Sequence, residues 1–263
     1  MIFYENRDKL VEFLDEYLKV KEITDSSYNG LQVEGKNEIR KIAFAVDSGI
    51  EVFEKAKAAG ADMLVVHHGI FWEGVDPRFI GVNKRRLDVL LSANINLYAV
   101  HLPLDMHPQV GNNVELLKLV GAAPCGSFLK YKNNMIGSFG KFSSPQKVSD
   151  IVKIIDKKLK TSSHVLSVSE DKDVDRCRRV SIVAAVSGGI GLDVLNDAKQ
   201  IGADLLIVGE RRDFYHLAGD LGISVILAGH HASEQTGIKA LQKLTEEKFP
   251  NIESIYIECP TGL

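Results

Sequence analysis

Two stretches of the chain repeat one another. Ala45–Val66, "AVDSGIEVFEKAKAAGADMLVV", matches Ala185–Val208, "AVSGGIGLDVLNDAKQIGADLLIV", with a two-residue insertion. Inside the match, "AKAAGADMLVV" and "AKQIGADLLIV" agree at seven of eleven positions. The repeat resumes further on. "LYAVHLPLD" aligns with "ILAGHHASE", setting His101 against His230 and Asp105 against Glu234. Any two strand–helix–strand units share apolar patterning, but a shared "GAD" and a shared His-x₃-carboxylate exceed what patterning demands. The chain therefore reads as two related halves with a site between them supplied by both.

The order of elements says what those halves are. "NRDKLVEFLDEYL" has apolar residues at Leu10, Phe13, Leu14 and Tyr17, a helical spacing, and "SSYNGLQVEG" follows as a glycine-punctuated turn. Next come a β-type run ending at Asp47, a helix closed by Gly60, the strand "ADMLVVHHG", the helix "RRLDVLLSAN" and the strand "INLYAVH". Such alternation predicts a mostly parallel sheet covered by helices. The expected fold class is α/β, as two pseudo-symmetric lobes from the internal repeat with a site in the cleft between them. The first lobe is expected over 1–124 and the second over 125–263. The second starts with an insert-like section, 125–177, in which "NNMIGSFGKF" and "HVLSVSE" read as strands. "SPQKVSDIVKIIDKKL" reads as a helix with Pro145 near its start, and "EDKDVDRCRR" as a solvated loop. The C-terminal part is expected to pack back on the first lobe.

Composition excludes several classes of function. With 32 basic and 35 acidic side chains the formal charge is −3, so nothing advertises nucleic acid or an anionic membrane. Cys125, Cys177 and Cys259 are odd in number and far apart, which excludes a disulfide framework and a CxxC site. No 18-residue apolar run occurs, and "MIFYENRDKL" meets charge at once, so a cytoplasmic protein without a secretory leader is expected.

The histidines are different. Five of the eight fall in "VVHHG", "AVHLPLD" and "AGHHASE", at the carboxyl ends of expected strands, where open α/β sheets bind ligands. A histidine alone at a strand end is usually only hydrogen-bonded. Here a doublet joins two repeat-related His-x₃-carboxylate pairs, each of which falls on one face if the chain turns helical. His67, His68, His101, Asp105, His230 and Glu234 form a nitrogen/oxygen donor set suited to zinc, iron, manganese, cobalt or nickel. Six donors are too many for one tetrahedral ion and suit two divalent ions per subunit. Glu210, at the second half's matching strand end, and His231 are the candidate catalytic residues; His231 also reads as pocket lining. Arg211 and Arg212 face two readings, an anionic substrate or solvent salt bridges. His107 and His216 stay undecided, and His164 reads as structural. Trp72 walls the pocket or simply packs. "SGGIG" (Ser187–Gly191) lacks the lysine and spacing of a phosphate loop and reads as a tight turn.

"YNGLQVEG", "HHGIFWEG", "AVHLPLDMHPQVGNN", "VGERRD" and "AGHHASEQTGIKAL", in this order, resemble the dinuclear-metal family of GTP cyclohydrolase 1 type 2 homologues over essentially the entire chain. The resemblance implies two α/β lobes related by pseudo-symmetry, a pair of divalent ions in the cleft and a toroidal homohexamer. It implies the same six ligands, with Glu234 bridging. The family name implies hydrolytic opening of a purine imidazole ring at C8 by metal-activated water, with loss of formate. Two departures stand out: Gly69 occupies the place of a proline after the doublet, and "ERRDFYH" delays the histidine that usually follows "GE", leaving His216 as a stand-in. The expected function is a dinuclear metal-dependent hydrolase of a nucleotide-like or phosphorylated small molecule. The alternative is a non-enzymatic metal-binding regulatory or interaction ring.

Overall fold

The computed structural model describes residues 4–166, 177–191, 193–210 and 215–262. The chain divides into two compact units, Met1–Leu104 with Ile238–Cys259 and Asp105–Gly237 with Pro260–Leu263. The division falls at Leu104, before the 124 expected from sequence. The helix Asn112–Leu119 explains the difference, because its Leu116 and Leu117 belong to the second unit's core with Val183, Leu205 and Ile226.

The first unit is built on a five-stranded sheet. Its order is Glu253–Tyr256, Lys41–Asp47, Met63–His68, Asn96–Ala99 and Gly30–Val33, parallel except for the last strand. The middle strands are apolar on both faces, as strands covered by helices must be. Ala43, Leu64 and Leu97 pack with Val52 and Phe53 of the helix Ile50–Ala58 and with Leu87 and Leu90 of the helix Gly81–Ala93. The C-terminal strand pairs in parallel with Lys41–Asp47.

The second unit holds a six-stranded mixed sheet in the order Ala123–Tyr131, Asn134–Lys147, Arg179–Gly189, Leu205–Glu210, Ser224–Leu227 and His164–Leu166. Three of its four inner strands, Arg179–Gly189, Leu205–Glu210 and Ser224–Leu227, are parallel to one another, and the remaining pairings are antiparallel. The section read as an insert is thus part of the sheet itself. Pro145 lies in the strand Asn134–Lys147, not in the helix, which starts at Val148. The proline sits where pairing with Arg179–Gly189 shifts register, a place that does not need its missing N–H. The loop expected at 170–179 and the end of the "HVLSVSE" strand lie mostly outside the described residues.

The two copies of "GAD" do the same work, each in its own unit. Gly60 and Gly202 end their helices at φ +70° and +74°. The Asp62 carboxylate accepts from the amides of Arg40 and Lys41 at 2.9 and 3.2 Å, and that of Asp204 from Ser181 and Ile182 at 2.8 and 3.0 Å. Each aspartate thereby ties the start of one parallel strand to the start of the preceding one. Among the described residues no helix is long and apolar enough to cross a membrane.

Candidate metal centre

In the first unit the parallel register sets Asp47 directly beside His68, and His101 follows two residues after the neighbouring strand Asn96–Ala99. The rings of His67, His68 and His101 converge, with centroids 4.6 Å (67–68), 5.1 Å (67–101) and 5.7 Å (68–101) apart. One nitrogen of each lies within 4.8 Å of the others, a group that could hold a metal ion.

Each ring is oriented from behind. His67 Nδ1 donates to the Val100 carbonyl at 2.9 Å, His68 Nδ1 to Asp47 Oδ1 at 2.7 Å, and His101 Nδ1 to the Asp25 carboxylate at 3.0 and 3.1 Å. An acceptor behind Nδ1 fixes the tautomer and leaves Nε2 as the nitrogen with the lone pair, the arrangement that metal-ligating histidines use. Asp25 is itself locked, accepting from Asn29 Nδ2 at 2.9 Å and the Leu102 amide at 2.9 Å. Burial pushes the Asp25 carboxyl up, but the His101 hydrogen bond and charge, with Asn29 and Leu102, outweigh it and hold the group well below the usual carboxylate range. It stays an anion behind His101 across the working pH range.

In the second unit a carboxylate oxygen of Asp105 and one of Glu234 lie within 4.8 Å of each other, with both residues buried. Two carboxylates this close repel unless a proton or cation is shared between them. Asp105 Oδ1 accepts from Asn112 Nδ2 at 2.9 Å and from the Ser187 hydroxyl at 2.8 Å. His230 opens the helix His230–Lys248, so Glu234 stands one turn on and its Oε1 meets His230 Nε2 at 3.3 Å. Glu210 Oε1 accepts from His230 Nδ1 at 3.0 Å. The Glu234 hydrogen bond, opposed by burial and helped by Glu210, raises the imidazole pKa to about 9. Glu234 and Glu210 together thus favour the protonated form of this imidazole. Gly188 makes the room: at φ +68°, a side chain there would strike Glu234 Oε1 and lie 3.2 Å from His230 Nε2.

All six expected ligands are therefore described, three grouped in the first unit and three in the second. Asp25, Asp47, Asn112 and Ser187 position them, a role that no spacing in the sequence marks. Strand pairing brings Asp47 and Ser187 into place, the 25–29 segment Asp25, and the start of the helix Asn112–Leu119 Asn112. Glu210 lies against His230, and His231 is 3% exposed on the same helical turn. His107 is buried, and its Nδ1 accepts from the amides of Gln109 and Val110 at 3.3 Å, so it holds a turn. His216 is exposed on the helix Tyr215–Leu221, and His164 is exposed on a strand. "SGGIG" is not the tight turn expected: Ser187–Gly189 continues the strand Arg179–Gly189, whose register against Leu205–Glu210 shifts between Val186 and Gly189, with Gly188 at positive φ. Arg211, Arg212 and Asp213 lie outside the described residues.

Asp25→Asn tests the positioning directly. It keeps the shape but loses the anion behind His101, and zinc affinity should fall about 10–100-fold, read by competition with a chromogenic chelator. An unchanged affinity would mean that Asp25 does not act through His101.

Comparison with known proteins places the chain. The family profile Duf34/NIF3 (NGG1p interacting factor 3) matches residues 5–261. A Pyrococcus abyssi protein named GTP cyclohydrolase 1 type 2 homolog is 46% identical over 258 residues, covering 98% of this chain and 99% of that one. The solved structure of protein ybgI, of unknown function, superposes with a TM-score of 0.87 at 31% identity, covering 98% of this chain and 100% of that chain. The crystal structure of TTHA1606 from Thermus thermophilus gives 0.84 at 35% identity, with the same coverage of 98% and 100%.

Proposed function

Because the chain belongs to the Duf34/NIF3 family, we propose that it is a dinuclear metal-dependent hydrolase of a nucleotide-like or phosphorylated small molecule. In this reading the two halves descend from one repeated α/β unit and jointly supply the ligands. His67, His68 and His101 of the first half and Asp105, His230 and Glu234 of the second would hold the ions. The observation that carries it is that His67, His68, His101 and His230 all place an oxygen acceptor behind Nδ1. Orientation from behind is the signature of metal-ligating histidines and is not needed for ordinary packing. When bound, two divalent ions supply Lewis acidity and a water of lowered pKa.

The chain's own side chains do the rest. Val100, Asp47, Asp25 and Glu210 keep the four rings aimed, and Asn112 and Ser187 fix the Asp105 carboxylate. Glu210, whose side chain is 43% exposed, is placed to pass a proton to solvent while holding His230. His231 lines the site from the same turn. A toroidal homohexamer is the proposed assembly.

The test is a turnover screen of metal-loaded protein against nucleotides and phosphoesters. Hydrolysis is expected, falling more than about 100-fold in Glu234→Gln with the oligomer unchanged, since that substitution removes the charge of a ligand. Tight metal binding without turnover on any of these substrates would overturn the hydrolase in favour of a metal-binding ring.

A further inference from the structure

A half-buried cation with no counter-ion among the described residues lies close to the histidine cluster of the first unit. The loop after His68 and the helix Gly81–Ala93 enclose a cavity of about 580 Å³, counting its open mouth. Tyr28, Phe71, Trp72 and Phe79 form aromatic walls, and Asn83 and Arg86 supply polar groups. Tyr28 and Phe79 are each 60% exposed. The backbone explains why the walls stand together: the Tyr28 amide donates to the Phe71 carbonyl at 3.1 Å and the Glu73 amide to the Ser26 carbonyl at 2.8 Å. The cavity adjoins the histidines through Trp72, whose ring centroid lies 4.9 Å from that of His101, edge-on, and 6.1 Å from that of His68, tilted.

Arg86 is the unusual group. Its Nη2 donates to the Ser48 carbonyl and hydroxyl at 3.0 and 2.9 Å, while its Nε is buried and meets no acceptor among the described residues. Burial pulls its pKa below the ordinary arginine value, and no carboxylate among the described residues offsets it. The carboxylate in the wall, Asp76, is engaged instead by Arg78 through Nε at 2.9 and 3.0 Å and Nη2 at 2.6 Å. A guanidinium taken partly out of water without an anion costs free energy. A pocket that is mostly apolar, with a few convergent polar groups, is the usual form of a small-molecule site.

Resting on the metal-dependent reading above, we propose that this cavity holds the substrate as an aromatic anion. A flat ring packs on Trp72 and Tyr28, and a phosphate or carboxylate is bound by Arg86 with Asn83. The anion is thus held by the protein and not by the ions, which leaves the metal side of the ring for chemistry.

Trp72 is the chain's one tryptophan, so its fluorescence reports on the pocket directly. Phenyl phosphate, benzoate, phenol and inorganic phosphate are titrated into chelator-stripped and zinc-loaded protein. Phenyl phosphate or benzoate should quench saturably in both, the stronger identifying the anion, with phenol and inorganic phosphate at least about tenfold weaker. Arg86→Gln should weaken the anion about tenfold or more, as loss of a charged hydrogen bond does. Arg86→Lys should fall between, and Ser48→Ala should bind as the wild type, separating the charge of Arg86 from its hold on Ser48. If Arg86→Gln fails to fold, Arg86→Lys carries the comparison. Binding that needs zinc and ignores Arg86 would overturn the pocket and leave the metal reading standing. Arg86-dependent binding in a protein that takes up no zinc would do the reverse. No quenching, with Phe79→Asp splitting an oligomer, would overturn the pocket and assign its walls to subunit packing.

Discussion

His101→Ala and His230→Ala are expected to leave metal-replete purification short of bound ions, with affinity lowered more than about 100-fold. Loss of the group behind a ligand already costs about 10–100-fold, and loss of the ligand itself should cost more. Each substitution also strips a partner from a carboxylate, Asp25 behind His101 and Glu210 behind His230. Neither imidazole is a core group: their side chains are 20% and 33% exposed, so the fold should survive and the loss can be read as a binding effect. His107→Asn is the matched control. Sequence leaves His107 undecided, but in the structure its Nδ1 accepts two backbone amides and so is not carrying the proton. An asparagine oxygen can replace that acceptor, and metal content should stay at the wild-type value. Elemental analysis with circular dichroism decides between these outcomes. Wild-type metal content in His101→Ala and His230→Ala would remove both from the ligand set.

Gly209→Ala is expected to destabilise the protein by about 3 kcal/mol, the upper part of the range for overpacking a tight interior. A Cβ there would lie 2.5 Å from the Gly188 carbonyl oxygen, 2.6 Å from the Gly188 nitrogen and 2.7 Å from Ser233 Oγ. Two of those atoms are backbone, which cannot swing aside as a side chain can. The third, Ser233 Oγ, accepts from the Gly188 amide at 3.0 Å and donates to the His230 carbonyl at 2.9 Å, so displacing it disturbs the irregular strand end at Gly188 that makes room for Glu234. A melting temperature roughly 6–12 °C lower follows for a chain of this size. Gly191→Ala, where a Cβ meets nothing within 4 Å, should melt within about 1 °C of the wild type. Equal melting of Gly209→Ala and the wild type would mean that the close approach at Gly188 is not maintained in solution.

The parallel strands, and the histidines and carboxylates that could hold a metal ion, are legible in the sequence for one reason: both are local. "KIAFAVD" and "MLVVHH" are continuous apolar runs, and the histidines end the second, so strand and histidine pair are read together. The strand Ala123–Tyr131 was not legible, because its outer half is exposed on both faces and shows no alternation. Gly30–Val33 hid inside a turn-rich stretch, and as an edge strand it needed only its pairing with Asn96–Ala99. The residues behind the donors were invisible for a different reason. Asp25 stands 76 residues from His101 and Ser187 stands 82 from Asp105, and no spacing rule connects them. Asp47 is the intermediate case. It was recognised as a strand end, but only the register that pairs it with His68 gives it a role. The shared "GAD" serves a structural task in each unit, tying strand starts together, and takes no part in the chemistry at the other end of the strands.

A site for two ions per chain is tested most directly by counting them. Protein purified without chelator, equilibrated with zinc and freed of excess should carry two equivalents per chain by elemental analysis. Chelator should remove both and restored zinc should return them. A ratio of one or less under replete conditions would contradict the two-ion reading, however well the four imidazoles are aimed.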